Sequence, residues 1–448
     1  MTRSLWAMLL GTFVLRVSTA VTGTMLVFYI GHLNVAHGAR IGPGGVAVLD
    51  SGFYVTELAG AMAFGILADR WGRKVVMLLG PVFGAIAVFL TGLTTRLPVL
   101  FLTRLLEGAS TAASVPSTLG FIAAETAHDE VLRGRVVALF ELVTLGGLLA
   151  IGPFLGAALF HFLGPPAFFA NCGLYLVSLA FYAYGVVEIT VVPADLPAEG
   201  IGLDRYRRVF LNRQVLLFAP TWIAINAILG LWRSQGPFLL TGRSTFHDPG
   251  QLLLRGFSDI EIGTGMAVLA LFFGAGILFW GNAFGRFRRT TILLFGLVAF
   301  SVATADVLAI NHAFDVRPVV IGLLLVILAG ALFVLAGATP AAVGLLADVS
   351  EGFHDDRSTI MGLYSVFLGL GQVIGIAMAG VAASKAGVDG LVGATGILIA
   401  IGLAALLYLR AYEDRIPQTT PMAALGMVGS LRRPRTGGPP ASGAPRER

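Results

Sequence analysis

Residues 65–74 read GILADRWGRK and separate two apolar runs, one from Val46 to Leu67 and one beginning at Val75. One acid and three bases, Asp69, Arg70, Arg73 and Lys74, stand between them. A charged break between two segments of hydrocarbon length predicts a tight reversal joining two membrane helices. Gly65 and Gly72 let helix ends approach and the backbone turn, and Asp69 can accept hydrogen bonds from a helix N-terminus or pair with the arginines.

The composition generalises that reading. The 448 residues are 56 % hydrophobic and 12 % charged, whereas soluble chains carry about 25 % charged residues. Apolar stretches of about 20 residues between charged or Pro/Gly-rich breaks place spans near 6–30, 46–67, 75–94, 98–123, 136–160, 167–187, 215–240, 259–284, 290–311, 318–347, 358–384 and 391–412. The expectation is an all-α membrane protein of twelve spans. With the N-terminus inside, 21 of the 30 Lys and Arg fall in inner segments, six in outer ones, and three (Arg16, Arg104, Arg233) within spans. That bias puts both termini on the cytoplasmic side. The basic start and first apolar run lack a prompt small-x-small cleavage site, so a retained span is expected rather than a secretory signal.

Several function classes are excluded. The bases are spread over one face of the membrane instead of forming a stripe, which argues against nucleic acid despite a pI near 9.6. Cys172 is the only cysteine, so neither a disulfide nor a thiolate metal cluster is available. No GxxxxGK[ST] phosphate loop, HExxH, GxSxG or Cys/His cluster is present. The chain is therefore expected to be no enzyme and to hold no cofactor or metal.

Between spans six and seven lies a polar stretch, Glu188 to Arg213, containing VVPADLPAEG and DRYRR. Pro193, Pro197 and Gly200 interrupt any continuous helix there. The expected organisation is an N-terminal six-helix bundle (1–187), a cytoplasmic linker (188–213), a C-terminal six-helix bundle (214–412) and a disordered cytoplasmic tail (413–448). An internal repeat supports two halves. GNAFGRFRR (281–289) falls after span eight, with Gly285 where the first loop has Asp69. VPSTLGFIAAE (115–125) and TPAAVGLLADV (339–349) align at a shift of 224, pairing Pro116 with Pro340 and Gly120 with Gly344.

The stretch at 65–74 resembles the signature loop of the major facilitator superfamily, matching at Gly65, Leu67, Asp69, Arg70, Gly72, Arg73 and Lys74. LTRLLEGASTAAS (102–114) resembles the fourth-span motif associated there with proton coupling, although Glu107 stands where a neutral polar residue is more usual. GGLLAIGPFLGAAL (146–159) resembles the fifth-span motif of proton-driven antiporters, and Gly152, Pro153 and Gly156 also form a small-residue packing face with a bend. The resemblance implies the major facilitator fold, two pseudo-symmetric six-helix bundles around a midplane cavity, and transport by alternating access. It points toward the proton-coupled multidrug antiporter branch. In that reading Asp69, Arg70 and Arg73, with Gly65, Gly72 and Lys74, latch the outward-facing state at the inner surface.

Charge inside the hydrocarbon costs about 2.5–3.5 kcal/mol on insertion scales, so each such residue is a functional candidate. Arg16, Glu57, Arg104 and Glu107 sit inside spans one, two and four, and the expectation is that they neutralise one another around the cavity. Asp50 lies seven residues before Glu57, on the same helical face and nearer the outer boundary. Glu57 is the first candidate for a proton carrier, followed by Glu107 and Asp50, with Arg104 and Arg16 as their modulators. Arg233, Gln235, Asn226 and Gln372 are candidates for the cavity wall. Glu141 is expected to pair with Arg133 or Arg135 at the inner face.

The function these features point to is proton-coupled export of a small amphipathic or hydrophobic compound by a monomer in the bacterial cytoplasmic membrane. Its partners would be the small-molecule substrate, protons and the lipid bilayer. Proton symport or facilitated uptake of an organic anion drawn to the arginines, lipid flipping, and ligand sensing without transport are the alternatives.

Overall fold

The computed structural model describes residues 1–126, 129–187, 213–283, 286–314, 316–350 and 357–413. Among them the chain is helical and contains no strand. In chain order the segments are α1 (Arg3–Ala36), α2 (Pro43–Trp71), α3 (Arg73–Leu93), α4 (Leu97–Glu125), α5 (130–163), α6 (167–185), α7 (Arg213–Leu240), α8 (Asp259–Ala283), α9 (Arg289–Asn311) and α10 (318–350). The last helix, Arg357–Glu413, breaks at Ala386 and Gly387, where Gly387 takes φ +57°. That break divides it into α11 (357–385) and α12 (388–413).

Among the described residues, ten helices are long and apolar enough to cross a membrane by length and composition. α4 falls short of that apolarity because Arg104, Glu107 and a series of Ser and Thr lie along it, yet its 29 residues reach about 43 Å. With α4 added and the last helix divided, the described residues hold twelve segments. Many hydroxyls in them donate back to the carbonyl one turn earlier, as Ser18 does to Val14 and Thr22 to Ser18, both at 2.9 Å. This satisfies the hydroxyl where no water is available.

Local chemistry sets the helix ends. Thr2 caps α1 by accepting from Leu5 N at 3.3 Å, and Asp129 caps α5 by accepting from Leu132 N at 2.8 Å. Pro43, Pro98 and Pro318 stand in the first turn of α2, α4 and α10, where a missing N–H costs nothing. Gly72 joins α2 to α3 with φ +99°, a conformation that side-chain-bearing residues rarely adopt.

The end of the bundle carrying the α2–α3 turn is called the base, and the opposite end the top. Among the described residues two large hydrophobic cores form, with two small satellite clusters. One gathers α1–α6, with Phe238 and Ile262 joining from α7 and α8. The other gathers α7–α12. Close contacts repeat between these halves. Gly60 of α2 meets Ala112 of α4, with 3.0 Å between an added Cβ and the Ala112 methyl, and Gly276 of α8 meets Ala336 of α10 at 2.8 Å. Gly80 of α3 meets Ser114 of α4, as Gly296 of α9 meets Ala338 of α10. The offsets are 216 on the glycine side and 224 on the partner side in both cases, so the two halves share one packing scheme.

In α5 the turn at Gly146–Ile151 is of the wide π type and leads into Pro153. A proline cannot donate to the preceding turn, and the extra residue in the wide turn absorbs the bend. Gly152 and Gly156 then lie against Ala20, Val17 and Val21 of α1, while Ala157 meets Gly263 of α8. The helices exceed the expected spans, α1 continuing to Ala36 and α5 beginning at Glu130, because both extend beyond hydrocarbon thickness as capped helix. Of the expected linker and tail, 188–212 and 414–448 lie outside the described residues.

Gly60→Leu or Gly276→Leu should each lower stability by about 1–3 kcal/mol through overpacking, seen as a lower melting temperature of the purified protein. Gly393→Leu, where an added side chain meets open space, should leave it unchanged. Equal tolerance at all three positions would contradict the packing scheme.

Candidate functional site

The buried charges of the first half fall into two groups instead of one. The first is centred on Arg104 of α4. Its guanidinium pairs with Glu107 one turn on and lies 3.6 Å from Asp50 of α2. It also stacks over the Phe53 ring at 4.8 Å. Helical spacing brings Glu107 to Arg104. The α2–α4 approach brings Asp50, because Gly108 lies directly against the Phe53 carbonyl. Arg104 is 5 % exposed and Glu107 1 %, with Thr22 of α1 and Tyr175 of α6 beside the carboxylate. This group is sealed inside the first half. The expectation that Arg104 and Glu107 share a water-accessible hollow with Arg16 and Glu57 is therefore corrected: they sit behind α2, with Asp50 as their less buried edge.

The second group is centred on Arg16 of α1, which is 6 % exposed and whose Nε makes no hydrogen bond. It forms no ion pair among the described residues. Its charge reaches Glu57 of α2 and Glu141 of α5. Glu57 is half-buried and Glu141 exposed. Both carboxylates thus feel a buried arginine while remaining partly or fully exposed themselves. Glu141 feels the charge of Arg16 and makes no ion pair with Arg133 or Arg135 among the described residues, which corrects the expected pairing at the inner face.

From the second half, Arg233 of α7 stacks over Tyr54 of α2 at 4.8 Å and feels the charge of Asp50. Arg233 is exposed, with Tyr54 of the first half against its guanidinium. Above it the halves are sealed. Gln235, fully buried, donates to the Pro43 carbonyl at 3.0 Å. Asn34 of α1 donates to the Arg243 carbonyl at 3.0 Å and to that of Ile41 at 2.8 Å, and Gly380 of α11 lies against Ala47 of α2. The nameable contacts between the halves run from the midplane, where Gly369 of α11 meets Leu58, to this top seal.

The remaining candidates are placed differently. Asn226 is 2 % exposed and donates to the Trp222 carbonyl of its own helix, under Gly371. Gln372 is 8 % exposed and lies against Gly230. Both are helix-packing positions between α7 and α11, not cavity wall. Gln235 belongs to the seal. At the loop, Arg70 is exposed, Arg73 crosses Gly120 of α4, and Gly65 faces Pro116. Lys74 is half-buried, and the Asp69 side chain lies outside the described residues.

Sequence reasoning passed over Tyr54, three residues before Glu57 and so on its face, and Asn34, whose bridging role depends on a chain partner 209 residues away. It also passed over Asp306 of α9, 5 % exposed with Oδ2 lacking a hydrogen bond, although an acid inside an apolar run was signal enough. At the top, Asp248 accepts from Gly250 N and the Gln251 amide. These bonds, the backbone one foremost, hold its carboxyl below the usual range.

The sequence profile of the Major Facilitator Superfamily matches residues 8–247 and 234–436. The chain belongs to that superfamily. It is an integral, multi-pass membrane transporter of the major facilitator fold. It is 29 % identical over 199 residues to the multidrug resistance protein MdtM of Escherichia coli O157:H7, covering 40 % of this chain and 48 % of that protein. It is 31 % identical over 181 residues to the chloramphenicol resistance protein CraA of Acinetobacter baumannii, covering 40 % and 43 %. The chain thus spans a little under half the length of these curated relatives. The nucleoside transporter NupG superposes with a TM-score of 0.69 at 15 % identity, over 92 % of this chain and 99 % of that one. A bacterial homologue of the lysosomal transporter Spinster gives 0.65 at 14 % identity, over 91 % and 95 %. Those two likenesses speak to the fold alone.

Arg104→Gln should strip Glu107 of its cation and cost about 3–5 kcal/mol, the usual consequence of breaking a buried pair. Replacing both, as Arg104→Met with Glu107→Leu, should restore most of the melting temperature. A stable single variant would contradict the sealed-pair description.

Proposed function

We propose that the chain exports small amphipathic or hydrophobic compounds across a bacterial cytoplasmic membrane in exchange for protons. The observation that carries this reading is Glu57, a half-buried carboxylate midway along α2, within reach of the unpaired Arg16 and below the roof made by Gln235 and Pro43. The drug-resistance names of the sequence relatives support export.

With the base facing the cytoplasm, the top-sealed arrangement is inward-facing. Substrate enters the hollow from below, between Glu57, Glu141 and the Arg233–Tyr54 stack. Ionised Glu57 is balanced by Arg16. When the two six-helix halves, 1–187 and 214–412, rock so that the top opens, the higher outside proton activity loads Glu57. Arg16 loses its counter-charge and the substrate is released outward. The protonated state then returns, and Glu57 gives up its proton to the cytoplasm. Asp69, Arg70 and Arg73 hold the base closed in the outward-facing state. Arg104, Asp50 and Glu107 keep α2 and α4 together so that Glu57 moves with its bundle.

A second reading rests on one feature: neither Arg16 nor Arg233 makes an ion pair with a carboxylate among the described residues, which suits uptake of an organic anion. Collapsing the proton gradient separates the two, raising internal substrate for an exporter and lowering it for a symporter.

In liposomes given a pH jump and a panel of cationic, neutral and anionic amphiphiles, Glu57→Gln should abolish uphill flux. Substrate exchange at equal pH should persist. Undiminished pH-driven flux in this variant would remove Glu57 from the mechanism.

A further inference from the structure

The base of the second half carries a feature that transport does not use. The α8–α9 turn presents Arg286 and Arg288, both exposed, with the exposed Phe287 between them. Phe287 packs on Trp280 of α8 and on Phe295 of α9, each at 6.0 Å between ring centroids, and Trp280 and Phe295 lie 6.2 Å apart. Above this aromatic step an apolar groove of about 290 Å³ runs up the outer surface. Phe295, Val298 and Val302 of α9 form one wall, and Gly330, Ala331 and Val334 of α10 form the other. Gly330 makes the groove, since a side chain added there would meet nothing within 4 Å.

The dimensions and charges fit one kind of molecule. At 1.5 Å per residue, Phe295 and Val302 stand about 9 and 20 Å above Arg289, where α9 begins. This is the depth range of acyl chains in one leaflet of a hydrocarbon core about 30 Å thick. Cations lie at headgroup depth below the groove, and the aromatic step occupies the interfacial level where such rings gather. An apolar slot of leaflet depth with two exposed guanidiniums at its foot complements an acyl chain carrying a net-anionic head; a soluble anion lacks the chain, and a zwitterionic lipid sets its own cation against the two arginines.

We propose that the α8–α9 turn and the groove between α9 and α10 bind an anionic phospholipid, with the phosphate at Arg286 and Arg288 and one acyl chain between Phe295 and Gly330. The proposal is independent of the direction and coupling of transport.

Trp280 reports on the site. The full-length protein is reconstituted into phosphatidylcholine vesicles with a small fraction of brominated phosphatidylglycerol or, separately, of brominated phosphatidylcholine. Quenching at Trp280 is the difference between the native chain and Trp280→Phe. The expected result is stronger quenching by the anionic lipid. Arg286→Gln with Arg288→Gln should reduce that preference, by about fivefold per near-surface cation removed. Gly330→Leu should reduce quenching by both lipids. Equal quenching by the two lipids in the native protein, or a preference that survives loss of both arginines, would overturn the proposal.

Discussion

An arginine in the middle of a hydrocarbon layer must meet a carboxylate or water, and the two buried arginines of the first half take different solutions. Arg104 is enclosed between Glu107 and Asp50 with an aromatic ring on its face. Arg16 is buried with no ion-pair partner among the described residues, in reach of two carboxylates that are themselves partly or fully exposed. A buried cation compensated only at a distance is costly in hydrocarbon. In the proposed mechanism that difference divides the work: sealed charge holds helices in register, and open charge responds to whichever side admits water.

The repeat makes the asymmetry plain. At the offsets that superimpose Gly60 on Gly276 and Ala112 on Ala336, the counterpart of Glu57 is Phe273, that of Arg104 is Leu328 and that of Glu107 is Ala331. The second half keeps the close helix contacts and drops the charges. It supplies packing, the Arg233 stack, the roof at Gln235 and a buried acid of its own, Asp306, at a different position. In the proposed cycle, one proton-responsive half moving against the other needs only a small free-energy difference between two packed arrangements.

Much of this was legible in the chain because the signals are local. The reversal at 65–74 shows in ten residues, and buried charges stand out against apolar runs. The Arg104–Glu107 pair follows from three-residue spacing on a helix. What was not legible depends on helix approach. Whether Asp50 reaches Arg104 is decided by Gly108 against the Phe53 backbone. Whether Asn226 and Gln372 face a cavity is decided by Gly371 and Gly230, which bury them between α7 and α11. An amide in an apolar helix carries no mark distinguishing a wall from a packed seam.

The central claim is that the hollow beside Arg16 and Glu57 opens to the two sides of the membrane in turn. Ala61, one turn below Glu57 on α2 and half-buried, offers a site for a thiol in a Cys172→Ala background. Sealed proteoliposomes of one orientation would be treated with a membrane-impermeant thiol reagent from each side, with and without a proton gradient. Alternating access requires labelling from the base side at rest and a gain of labelling from the top side under the gradient with substrate present. Labelling from one side alone under every condition, or from neither, would contradict it.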